Sequence, residues 1–133
     1  MNYLGIDYGA SKIGVALAHE ETRLAMAYGV FQNDEKLLEN IGTVLEKEEI
    51  GTVVIGVHKQ SVYAKEGAGE QFGELLGIRF GVTIEYQDEM FTSKMAQNNL
   101  IAQGQKHVSA HDDAEAASIL LQSWLDRIVR ERQ

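Results

Sequence analysis

Acidic residues at three separated places carry chemistry that their surroundings make costly. Asp7 closes the apolar, β-prone run Tyr3-Leu4-Gly5-Ile6-Asp7-Tyr8. At the end of a strand covered on both faces, a carboxylate must be paired, hydrogen-bonded or bound to a cation. A turn aspartate bonding the backbone of Gly9-Ala10 is the alternative reading. Asp88 and Glu89 follow another β-prone run, where open α/β sheets place their ligand crevices. Their alternative is a pair of solvated acids ahead of a helix beginning at Thr92, complementing its dipole. Asp112 and Asp113 open the amphipathic C-terminal segment. Helical spacing puts Asp113, Ala117, Leu120, Leu121, Trp124 and Ile128 on one face, which aims Asp113 at the sheet. Asp112 has the better claim to cap the helix, with Asp112-x-x-Glu115 resembling a capping box. Ala116 and Ala117 leave room for a close approach of helix to sheet.

Acids from three elements can therefore converge at one end of a sheet. Clustered carboxylates repel, and one takes up a proton unless cations compensate. Oxygen-only ligands select hard cations such as Mg²⁺ or Mn²⁺. Metals held this way activate water and stabilise both oxygens of a phosphodiester displacement, ideally as a pair about 4 Å apart. Between Asp88 and Glu89, the longer Glu89 side chain reaches farther from the strand end.

The elements that must position these acids alternate along the chain. Asn2–Tyr8, Ile13–His19 and Leu24–Phe31 read as three strands spaced for an antiparallel meander. Asn33-Asp34 opens a helix to about Glu48, with Leu37, Leu38, Ile41, Val44 and Leu45 at helical spacing. Thr52–Val57 is a short β-branched run typical of a buried central strand. Residues 63–78 read as a helix weakened by Gly67, Gly69, Gly73 and Gly77. Val82–Gln87 is a fifth strand, Thr92–Gln103 a helix and Asp112–Arg130 the last helix. The order β-β-β-α-β-α-β-α-α predicts an α/β fold: a five-stranded mixed sheet with helices on its faces.

Composition bounds the rest. The chain has 133 residues, 44% hydrophobic and 24% charged, which predicts a single domain over residues 1–133 with its own core. The absence of cysteine excludes a disulfide scaffold, a thiolate zinc site and a cysteine nucleophile. No apolar run approaches the roughly 20 residues that span a bilayer, and Met1-Asn2-Tyr3-Leu4 lacks a signal peptide's basic start. A soluble, cytoplasmic protein without a membrane partner is the expectation. Twelve Lys+Arg against 20 Asp+Glu give a net charge of −8, so any polyanion must be met by a local basic patch or bridging cations.

The segments LGIDYGASKIGVALA at 4–18, TVVIGV at 52–57, YQDEMFTSKMA at 86–96 and DDAEAASILLQSWLD at 112–126 resemble, in order and spacing, the YqgF/RuvX family. The resemblance covers nearly the whole chain and implies a ribonuclease H-like fold. Family members are described as Holliday junction resolvases and as nucleases processing the 5′ end of precursor 16S rRNA. It implies catalytic acids at Asp7, Glu89 and Asp113, with Asp88 beside Glu89 as a further metal ligand, and Mg²⁺ or Mn²⁺ as cofactor. Lys12 lies where the family carries a basic residue after the first glycine turn and looks like a phosphate contact. Lys59 and Lys94 are further candidates for substrate contact, with His58 beside Lys59; a solvated loop pair is the alternative reading of His58-Lys59. Thr92 and Ser93 match the family's Thr-Ser pair, for which helix capping is a sufficient explanation.

The chain departs from the family in three places. Met90 stands where the family carries arginine, which removes a bidentate phosphate donor. Gly56-Val57-His58-Lys59 replaces a Gly-Leu-Pro pattern, and the loop 105–111 holds one lysine with His107 and His111. His111, beside the two aspartates, could relay a proton or be an ordinary surface histidine. The implied function is a metal-dependent nuclease acting on structured RNA, with ribosome precursors as possible partners. A branched-DNA resolvase is the alternative within the same chemistry; it calls for a homodimer where RNA processing needs only a monomer. Two readings come from other classes. One is a phosphate-binding hairpin of the sugar-kinase type, which normally needs two such domains. The other is a catalytically weak nucleic-acid-binding or assembly factor, which Met90 and the thin basic loop favour.

Overall fold

The computed structural model describes residues 1–57, 67–88 and 112–131, and for Asp88, Asp112 and residues 129–131 the backbone alone. Three strands open the chain: β1 Asn2–Tyr8, β2 Lys12–Ala18 and β3 Ala25–Gln32. Helix α1 (Leu37–Lys47), strand β4 (Ile50–Val57), helix α2 (Ala68–Phe80), strand β5 (Thr83–Asp88) and helix α3 (Asp112–Glu131) follow. The strands form one mixed sheet in the order β3-β2-β1-β4-β5. Strands β1, β2 and β3 pair antiparallel, whereas β4 is parallel to both β1 and β5. This is the five-stranded α/β arrangement read from the sequence, and the helix expected over 92–103 lies outside the described residues.

Strand alternation divides the core in two. Leu4, Ile6, Ile13, Val15, Val53 and Ile55 pack with residues of α1 and α2. Ala16, Ala18 and Val54 face the opposite way and pack with Ala117, Leu120, Leu121, Trp124 and Leu125 of α3. Burial of each leucine contributes about 1.5–3 kcal/mol, so α3 is held mainly by the apolar stripe that its periodicity displays. The Trp124 ring lies 5.8 Å from that of Tyr3. Among the described residues, no helix is long and apolar enough to cross a membrane.

The element boundaries differ from the sequence reading in ways that side-chain chemistry explains. Helix α1 begins at Leu37 rather than Asn33-Asp34, because Asp34 is consumed in the turn before it. Its carboxylate accepts the Lys36 N–H at 2.9 Å and its carbonyl the Leu37 N–H at 3.1 Å. Helix α2 runs two residues past Ile78 and stops where Gly81 takes the left-handed conformation, φ 72°, a common way to end a helix. Of the glycines that dilute its helical pattern, Gly73 serves packing. A Cβ on Gly73 would lie 2.8 Å from both Ile55 Cδ1 and the Tyr86 hydroxyl.

Candidate active site

The β1–β2 turn is tied down from outside the hairpin. The Asn33 side chain donates to the Gly9 carbonyl at 2.8 Å, and the Asn33 N–H to the Ser11 carbonyl at 2.9 Å. Just inside this turn, Asp7 is paired across the ladder with Gly14, and Tyr8 with Ile13. Asp7 is half-buried and shares its face of β1 with Gly5, where a Cβ would lie 2.7 Å from Leu121 Cβ and 3.0 Å from the Ala117 carbonyl. The carboxylate therefore stands on the α3 side of the sheet, at the C-terminal end of a central strand.

Helix α3 reaches the same place. A Cβ built on Gly14 would overlap the carbonyl of Asp113, so the first turn of α3 rests directly on β2. The helix then descends the sheet, passing Gly5 at Ala117 and Leu121 and reaching Tyr3 at Trp124. Buried Ala114 and Ala117 make the close approach, whereas Ala116 is half-buried. The structure thus brings Asp7 and Asp113 together across one glycine. Asp113 is half-buried, in the first turn, where the dipole favours negative charge.

Strand β5 ends at the same edge. Ile6 pairs with Ile55, Gly56 with Gln87 and Val57 with Asp88, so the backbone of Asp88 leaves the sheet one residue beyond the level of Asp7. Lys12 opens β2, is exposed, and shares by alternation the face of Gly14. Glu89, Lys59, Lys94, His58, Met90, Thr92, Ser93, His107 and His111 lie outside the described residues. Among the described residues, no group of three or more His, Cys, Asp or Glu is arranged to hold a metal ion. The acids whose backbones lie at this edge, Asp7 and Asp113, carry oxygen donors, which suit a hard cation and offer nothing to a soft one.

Two features escaped the sequence reading. The first is Gly14, whose missing side chain admits α3; a glycine inside an alternating strand was its signal. The second is Gln87, a buried polar residue, 6% exposed, on β5. Its Nε2 donates to Ser123 Oγ of α3 at 3.3 Å, and its Oε1 has no hydrogen-bond partner among the described residues. An unsatisfied buried acceptor costs about 1–3 kcal/mol. A cleft of about 340 Å³ lined by Glu39, Thr43, Arg79 and Phe80 lies at the other end of the sheet, beside the starts of β4 and β5, and contains none of the candidate acids.

Comparison with known proteins places this geometry. The family model described as "RuvX: Holliday junction resolvase" matches residues 1–127. A protein of Anaeromyxobacter sp. (strain Fw109-5) named "Putative pre-16S rRNA nuclease" is 36% identical over 134 residues, covering 95% of this chain and 97% of its own. A Rickettsia africae protein of the same name is 32% identical, over 94% of this chain and 86% of its own. In overall fold the chain is similar to RuvC of T. thermophilus in complex with a Holliday junction substrate, with a TM-score of 0.59, 16% identity, and coverage of 97% and 96%. The Fowlpox virus resolvase bound to Holliday junction DNA shares the fold at a TM-score of 0.56 and 11% identity, over 97% of this chain and 99% of the resolvase.

Proposed function

Because the chain belongs to the RuvX Holliday junction resolvase family, we propose that it is a metal-dependent nuclease of the cytoplasm that processes the 5′ end of precursor 16S rRNA. The observation that carries this reading is the approach of the Asp113 backbone to Gly14, the cross-strand partner of Asp7, at the sheet edge where Asp88 emerges. Relatives at 32–36% identity bear a pre-16S rRNA nuclease name, which selects RNA as the first substrate to test.

Asp7, Glu89 and Asp113, with Asp88 beside them, would hold Mg²⁺ or Mn²⁺. When bound, such an ion activates water and stabilises the charge that develops on the phosphodiester. The protein's own groups fix the geometry. Asp7 is immobilised by the β1–β2 ladder, and Asp113 by the contact of its helix with Gly14. Lys12, exposed at the start of β2 on the same face, steadies a phosphate, and Lys59 and Lys94 extend the substrate contact. A chain with net charge −8 needs these local cations to accept a polyanion.

Junction resolution is the second reading, favoured by the fold shared with the RuvC–junction complex. It requires two coordinated cuts and hence two copies. One assay separates the readings: Mn²⁺- or Mg²⁺-dependent cleavage of a 5′-extended 16S rRNA fragment and of a four-way DNA junction, in parallel. The RNA should be cut, and Asp7→Asn should abolish cutting. Removing groups that merely orient metal ligands costs about 10–100-fold, and loss of a ligand should cost more. Preferential cutting of the junction would transfer the assignment to the second reading. Failure of the folded protein to cut either substrate would overturn both.

A further inference from the structure

We propose that Gln87 and Ser123 form a positioning tie that fixes the acid-bearing end of β5 against α3, and so sets the metal site's geometry. Gln87 immediately precedes Asp88 in β5, and Ser123 lies on the helix whose first turn carries Asp113. The ladder pairs Ile6 with Ile55 and Gly56 with Gln87. Gln87 therefore stands within one residue's rise of Asp7, two strands and about 10 Å away across the sheet. Its side chain projects to the α3 face, where Nε2 meets Ser123 Oγ at 3.3 Å.

The chemistry of the pair points away from a purely structural role. Gln87 is 6% exposed and its Oε1 has no partner among the described residues, so an apolar residue of similar length would pack there at lower cost. Its neighbours on the α3 face of β5, Thr83 and Glu85, are exposed, so the strand buries an amide only at its acid-bearing end. Polar groups kept against local stability are characteristic of sites where geometry matters more than stability. What this amide adds is a directional bond between β5 and α3, the elements that carry Asp88 and Asp113. Apolar contact would hold them together while leaving their relative shift free.

The inference rests on the metal-nuclease reading, and its test is Mn²⁺ binding to the full chain by titration calorimetry, with thermal unfolding alongside. Gln87→Met and Ser123→Ala should each weaken Mn²⁺ binding about tenfold, the lower end for groups that orient ligands. The double variant should be no weaker than the weaker single, because one tie is lost only once. Ser123→Thr keeps the hydroxyl and should bind as the natural chain does. Gln87→Met should unfold at or above the natural temperature. Variants that bind Mn²⁺ within twofold of the natural chain would overturn the tie while leaving the nuclease reading intact. A fall in unfolding temperature for Gln87→Met that tracks its loss of affinity would reduce the pair to packing. No Mn²⁺ binding by the natural chain would overturn the metal reading and the tie together.

Discussion

The carbonyl of Asp113 rests on the Cα of Gly14, and Gly14 is the cross-strand partner of Asp7. One missing side chain thus brings the backbones of two acidic residues, 106 positions apart in sequence, to either side of one glycine. Because an added Cβ at Gly14 would overlap the Asp113 carbonyl, this glycine limits where the first turn can sit.

Gly14→Ala should therefore act on the site as well as on the fold. Inserting a methyl against backbone typically costs about 1–3 kcal/mol, and relief of the overlap requires the first turn of α3 to lift, taking Asp113 with it. Chemical denaturation should show the loss of stability, and Mn²⁺ titration a larger loss of affinity than that of Gly29→Ala. At Gly29 nothing lies within 4 Å of an added Cβ, and its stability should change by no more than about 0.5 kcal/mol. Equal behaviour of the two variants would contradict the close approach.

Alkaline pH should weaken the fold through Tyr28. Its hydroxyl donates to Glu48 at 3.0 Å, and burial, followed by the bond to and charge of Glu48, raises its pKa above the ordinary tyrosine value. The native state thus favours the protonated phenol. The stabilisation is complete below the unfolded-state pKa of about 10 and disappears as pH rises through the higher folded-state value. Tyr28→Phe should cost about 1 kcal/mol at neutral pH and abolish this part of the alkaline loss. Urea midpoints for both chains between pH 8 and pH 11 would measure it, and parallel curves would remove Tyr28 as the source.

Restoring the family's arginine tests the departure at residue 90. A charge-assisted bond to phosphate contributes about 1.5–3 kcal/mol, so Met90→Arg should raise cleavage of the RNA substrate about tenfold or more and make it more sensitive to salt. Unchanged cleavage would show that another group already fills that role.

Much of this architecture is legible in the chain because local physics writes it there. The β-branched run ending in Val57 could only be a buried strand, and the period of Ala117, Leu120, Leu121 and Trp124 displayed the face that α3 buries. Asp113 falls on that stripe, and Asp7 at the end of a strand covered on both sides; position alone left each with a plain alternative, and their combination made them candidates. Asp34 misled because a helix-capping residue and a turn residue look alike in sequence, and only the backbone it bonds to distinguishes them. Gly14 showed only as a glycine inside an alternating strand, and Gln87 had no local signature. A glycine's role depends on what passes over it, and a glutamine's on what it reaches. Sequence by itself determined the elements, their buried faces and which acids are costly to keep. The tertiary structure alone decided that Asp7 and Asp113 meet over Gly14 and that Gln87 reaches Ser123, because contacts between elements distant in sequence depend on register and helix placement, which no local pattern encodes.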